Sequence, residues 1–141
     1  MTDFTLHPQL EKDSLFVASI DNIQIRLLRD SRYFWLLLIP QRKDITEWHE
    51  LDIKEQNAVS HFTNIFSKAL KDIEKADKIN IGALGNVVSQ FHFHILARHQ
   101  NDENWPGPVW GSAPTGQDNI ALFEERIQKL APIIDRLSAD S

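Results

Sequence analysis

The residues best placed to do chemistry are Gln90, His92 and His94, spaced two apart in the run Gln90-Phe91-His92-Phe93-His94-Ile95-Leu96. Successive side chains of a strand point to opposite faces. The spacing therefore predicts a polar row of Gln90, His92 and His94 backed by an apolar row of Phe91, Phe93 and Ile95. Neighbours in such a row lie roughly 6.5–7 Å apart, from a rise of ~3.3 Å per residue, which spans a phosphate group. Three readings fit this row. It is a solvated strand face without a ligand, or a metal site, since two imidazoles of a His-x-His strand can reach one ion. The third is a nucleophilic histidine beside phosphate-binding partners. The metal reading needs a third ligand from His49, His99 or a carboxylate, and no spacing singles one out.

Several elements must position that row. Leu15–Ile20 and Ile23–Leu28 read as strands joined by Asp21-Asn22, a two-residue hairpin turn. Tyr33–Ile39 is apolar throughout, so it is expected at the centre, covered on both faces and ended by Pro40. A helix is expected from about Ile53 to Ala76. Asp52 and Glu55 form a capping box at its start, and Ala58, Phe62, Ile65, Phe66, Ala69, Leu70 and Ile73 make one apolar stripe. Strands over Lys78–Ala83 and Gln90–Arg98 follow. The segment Asn101–Gln117, with three prolines and three glycines, is expected to be irregular. A last helix, Asp118–Ser138, carries Ile120, Phe123, Ile127, Leu130 and Ile134, with Pro132 expected to kink it or end it early. Three strands, a helix and two strands do not alternate as a parallel sheet requires. The order predicts an α+β domain, an antiparallel sheet of about five strands with the long central helix and the C-terminal helix on one side.

Composition narrows the partners. A chain of 141 residues suits one domain. Its net charge of -5 argues against duplex nucleic acid, whose binding rests on Lys and Arg neutralising phosphates. The longest apolar run, Tyr33–Pro40, is far short of the ~20 residues of a membrane helix. The start, Met1-Thr2-Asp3-Phe4, has neither the basic nor the apolar region of a signal peptide. There is no cysteine, which excludes disulfides and thiolate chemistry and agrees with a cytoplasmic location.

With its flanks, the His-Phe-His run resembles the histidine-triad (HIT) family. Upstream stand Asn80-Ile81-Gly82, matching the family's Asn-x-Gly, and Gly85-Asn86 at the place of its Gly-Gln turn, and downstream stands Ala97-Arg98. Asn104-Trp105-Pro106-Gly107-Pro108-Val109-Trp110-Gly111 looks like the tail of a bacterial branch. The resemblance implies one HIT-like domain over residues 1–141, with its core at about 15–110 and a helical extension at about 117–138. It implies binding of a purine nucleotide and cleavage at the α-phosphorus by attack of the middle histidine, His92, through a nucleotidyl-histidine. Dinucleoside polyphosphates, phosphoramidates and aminoacyl adenylates all present that phosphorus. His92 must then be neutral, its other ring nitrogen held by an acceptor such as a backbone carbonyl. His94 donates to a non-bridging oxygen.

The first position departs from the family, being Gln90 rather than His. An amide donates a hydrogen bond but is no general acid near neutral pH, a loss worth ~10²–10⁴-fold, so poor leaving groups suffer most. Asn80, Asn86 (where the family commonly has Gln), Asp30 and Leu28 are the implied substrate contacts, Asp30 toward the ribose hydroxyls and Leu28 toward the base. Asp30 reads equally as a turn aspartate, and Asn86 as a turn former after Gly85. Trp105 and Trp110 are expected over the site or between subunits, while His7, His49, His61 and His99 read as surface residues. The resemblance requires no cofactor for the chemical step, though a divalent metal on the substrate is compatible, and it implies a homodimer. Two alternatives stay open: a nucleotide-binding module with little turnover, and a metal-dependent enzyme using His92 and His94.

Overall fold

The computed structural model describes residues 3–140; Met1 and Thr2, read above for a signal peptide, and Ser141 lie outside them. The elements are α1 (Pro8–Asp13), β1 (Ser14–Ile20), β2 (Ile23–Leu28), β3 (Trp35–Pro40), α2 (Ile53–Glu74), β4 (Lys78–Gly82), β5 (Phe93–Arg98) and α3 (Ile120–Asp140). The strands form one sheet in the order β1-β2-β3-β5-β4, each neighbouring pair antiparallel. This is the expected α+β architecture. The β1–β2 turn holds both Asp21 and Asn22 at positive φ, 51° and 63°, as the tight turn matching the strand twist requires. The all-apolar β3 lies at the centre and is buried at every position.

Alternation divides the strands' side chains between two faces. One carries Ile23, Ile25, Leu27, Leu36, Leu38, Ile95 and Ala97, packed against Val59, Phe62, Phe66 and Leu70 of α2 and Phe123, Leu130, Ile133 and Leu137 of α3. Burying one such side chain is worth roughly 1.5–3 kcal/mol, so this layer supplies most of the driving force. Asp52 and Glu55 cap α2 reciprocally, as expected, and Lys75 ends it in the left-handed region. The other face carries Leu28, Trp35, Leu37, Ile39 and Leu96, covered by Leu10 of α1, Val88 and Val109, with Phe4, Leu6 and Trp110 packed around them.

Two expectations need correction, and one element was missed. The last strand begins at Phe93 rather than Gln90. Its ladders end at Leu38 opposite Phe93 and Gly82 opposite His94, so residues 90–92 enter off the sheet, with the Phe91 amide donating instead to the Ile45 carbonyl at 2.9 Å. Pro132 does not end α3, which runs on to Asp140 and places Ile133 and Leu137 in the core. Helix α1 was not foreseen. Pro8 opens it where a missing amide hydrogen is harmless, and the His7 side chain caps it by accepting from the Gln9 amide.

Candidate active site

His92 and His94 come together where the loop from β4 enters β5, on the sheet face away from α2 and α3. Both are 8% exposed, and their rings stand 4.9 Å apart, tilted by 66°. His94 is on the ladder, opposite Leu37 of β3 and Gly82 of β4. Trp35 and Trp110 flank its ring edge-on, at 5.6 and 5.9 Å.

The hydrogen-bond partners fix both tautomers. His92 Nδ1 lies 2.7 Å from the Gln90 carbonyl oxygen. A carbonyl only accepts, so this nitrogen carries the hydrogen and Nε2 keeps a free lone pair. Trp35 Nε1 donates to His94 Nδ1 at 2.9 Å. An indole N–H only donates, so the His94 hydrogen sits on Nε2. One ring is thus a nucleophile or acceptor at Nε2 and the other a donor at Nε2. Burial, and then the neighbouring His92, push His94 down to about 3. Burial also lowers His92, against the Gln90 carbonyl bond that raises it, and His7 lowers it further. Both rings are neutral at pH 7, the state a nucleophilic imidazole needs.

A shallow pocket of about 140 Å³ opens on His92, lined by Thr46, Trp48, Leu84, Gly85 and Ser89 among others. That is below the ~300–1,000 Å³ of sites that enclose a small molecule, so it suits a phosphate-sized group with the remainder of a ligand lying across the surface. Gly85, at φ +83°, makes the bend that brings this loop beside the ring. Among the described residues, the backbone amides of residues 84–90 have no internal acceptor.

The other expected site residues divide. Asn80 pairs with Leu96 across the ladder and so shares His94's face, where its Oδ1 accepts from Arg98 at 2.9 Å. Asn86 is exposed in the bend after Gly85. Leu28 is buried within the apolar cluster that also holds Trp35. Asp30 is already paired within the chain. It is 0% exposed, and its carboxylate accepts from Arg32 Nη2 at 2.7 Å, Arg32 Nε, the Arg32 amide and the Thr115 amide. Arg32, two residues on, folds back onto it, the contact a turn aspartate makes. The Gln90 side chain, expected toward substrate, bonds to the N-terminal segment, donating to the Thr5 carbonyl and accepting from the His7 amide, both at 2.9 Å.

Sequence reasoning missed the supports. Arg98 is 2% exposed, pairs with Asp102 through two nitrogens at 2.8 and 3.1 Å, and donates also to Asn80 and the Gly107 carbonyl. That pairing, chiefly the Arg98 hydrogen bonds, lowers the Asp102 carboxyl to about 2. Trp105 lies against the same guanidinium, 5.7 Å from its ring centre, while Trp110 reaches His94. His49 and His61 are exposed as expected, whereas His99 is half-buried and bonded to the Glu74 carbonyl at 2.9 Å. The alternation of β3 placed Trp35 on the histidine face and was the one available signal. Among the described residues no group of three His, Cys, Asp or Glu could hold a metal ion, and no helix is long and apolar enough to cross a membrane.

A family model described as HIT domain matches residues 9–101. A histidine triad protein from Sinorhizobium meliloti, 44% identical, covers 90% of this chain and 96% of its own, with a TM-score of 0.80. One from Marinobacter aquaeolei, 31% identical, covers 95% and 98%, with a TM-score of 0.90. A diadenosine triphosphate hydrolase from Plasmodium falciparum, 15% identical over 97% of this chain and 86% of its own with a TM-score of 0.67, shares the fold. No curated protein matches the chain.

Proposed function

This chain belongs to the HIT domain family, and from that premise we propose that it is a nucleotide hydrolase or transferase cleaving at the α-phosphorus of an adenine nucleotide through a nucleotidyl-histidine on His92. The observation carrying this reading is the pair of complementary tautomers. His92 offers a lone pair at Nε2, and His94, 4.9 Å away ring to ring, offers a hydrogen at Nε2. His92 Nε2 attacks phosphorus, and the bond to the leaving oxygen or nitrogen breaks with its electron pair leaving on that atom. His94 stabilises charge developing on a non-bridging oxygen, and the open amides of the Gly85 loop suit the same anion. Water then attacks the phosphorus, releases the nucleotide and restores the Nε2 lone pair.

Gln90 supplies no acid, so substrates with stable leaving anions, such as dinucleoside polyphosphates, fit better than those needing a proton. Asn80 and Asn86 remain the proposed phosphate-side contacts. The chemical step runs on side chains alone, with any divalent cation arriving on the substrate's phosphates. We place the protein in the cytoplasm as a two-fold dimer, the commonest oligomer.

The test is to incubate the protein with a diadenosine polyphosphate or an adenylated amine, quench in base and measure intact mass. A transient gain of one adenylyl group, absent in His92→Ala, is expected. Binding without adduct or product would leave a nucleotide-binding module instead. Activity abolished by a chelator and restored by metal would replace both with a metal-dependent enzyme.

A further inference from the structure

Gln90 holds more of the site than its place before the histidines explains. Its backbone carbonyl sets the His92 tautomer, while its side-chain amide grips residues 5 and 7 from both ends, 85 and 83 positions away in sequence. The gripped segment is anchored beyond this contact. Leu10 is buried, Phe4 and Leu6 pack against the second apolar cluster, and Asp3 pairs with Lys43 at 3.4 Å. The grip holds the His7 amide 2.9 Å from the Gln90 side chain, beside the entry to β5 and two residues before His92. His7 Nδ1 accepts from the Gln9 amide at 3.0 Å, so its ring hydrogen lies on Nε2, and the side chain is exposed.

We propose that Gln90 is a positioning residue that latches the N-terminal segment beside the entry to β5, and that His7, held there, donates a hydrogen bond from Nε2 to the departing group. The inference rests on the nucleotidyl-transfer reading above. No proton is transferred: the Nε2–H donor stabilises charge growing on the leaving atom, as a preorganised oxyanion donor does. His7 would thereby supply part of what an acidic first-position histidine would have done, from a different element.

The latch is tested with two adenylate esters of identical nucleotide and unlike leaving group, the p-nitrophenyl and the unsubstituted phenyl ester. Single-turnover formation of the His92 adduct is measured in wild type, His7→Asn, His7→Ala, Gln90→Ala and Gln90→His. Asparagine remains a good helix cap, so His7→Asn keeps α1 while withdrawing the imidazole. Phenyl ester cleavage is expected to slow on the order of 10²-fold in His7→Asn, His7→Ala and Gln90→Ala, the scale of one such donor. Cleavage of the p-nitrophenyl ester, whose leaving anion needs less help, should fall less than about tenfold in each. Combining His7→Asn with Gln90→Ala should add little, because both remove one contact. Gln90→His should lower the rate, since the diverging nitrogens of an imidazole cannot grip both Thr5 and His7. Equal losses on both esters, no loss, or a gain in Gln90→His overturns the inference while leaving nucleotidyl transfer intact. Wild type inert toward both esters overturns the two together. Should Gln90→Ala melt out, the His7→Asn contrast decides alone.

Discussion

The two faces of the sheet are drawn from the same strands but held by different forces. Under α2 and α3 the contacts are apolar, with Phe62, Phe66, Leu70, Phe123 and Leu130 meeting β2, β3 and β5. On the opposite face the apolar patch is smaller and is interrupted by His94 and Arg98, each buried and bonded to a named partner. Apolar burial is non-directional and tolerates small adjustments. A buried polar group demands its partner, because a donor or acceptor left unpaired costs about 1–3 kcal/mol and an unpaired charge more. The helical face therefore holds the fold, and the histidine face uses that rigidity to fix tautomers and orientation. Trp110 marks the tension on the second face: its Nε1 is buried there with no partner among the described residues.

This contrast can be broken first at Arg98. Arg98→Met would leave the Asp102 carboxylate, Asn80 Oδ1 and the Gly107 carbonyl without their shared donor. It is expected to destabilise by about 3–5 kcal/mol in urea unfolding and to lower the activity of the fraction that stays folded. Phe66→Ala, in the wholly buried stripe of α2, should destabilise by a similar ~3–5 kcal/mol. Specific activity per folded molecule should be unchanged, and a matching fall there would show that the faces are not separable.

Acid sharpens the comparison next. His94 is held near 3 in the folded protein but titrates near 6.5 when unfolded. As pH falls below about 6.5 the unfolded chain binds this proton while the native state does not. Stability therefore declines between about pH 6.5 and 3, by up to ~1.4 kcal/mol per pH unit from this group, and is independent of it above that window. Urea midpoints at stepped pH should slope more steeply in wild type than in His94→Gln, and parallel slopes would disprove it. The smallest effect is expected from Trp35→Phe, which removes one donor and frees His94 Nδ1. About 1 kcal/mol of stability and roughly tenfold in the rate of His92 adduct formation should be lost, with ¹⁵N NMR of the ring reporting a mixed tautomer.

How far the chain could be read follows the same division. The Asp21-Asn22 hairpin, the capping box at Asp52 and Glu55, the central β3 and the stripe of α2 rest on local chemistry or short-range periodicity, and each lies where expected. The alternation of the histidine strand also held for His92 and His94, although the ladder starts only at Phe93. Asp30 was different. Its pairing with Arg32 is local, but its complete burial is reached with the Thr115 amide, from a loop 85 residues away that no local pattern encodes. Gln90 was different for the same reason, its partners being Thr5 and His7.

The sequence by itself thus determined the α+β order of elements, the family, and the two histidines two residues apart. These follow from side-chain period, turn chemistry and a contiguous motif, all encoded within a few residues. Only the tertiary structure decided which nitrogen of each ring carries its hydrogen, that Asp30 is buried against Arg32, and that Gln90 faces the N-terminal segment. His94 and Gln90 take partners from distant segments and His92 and Asp30 take theirs from two residues away, but in each case a polar group takes the partner the folded backbone brings within about 3 Å.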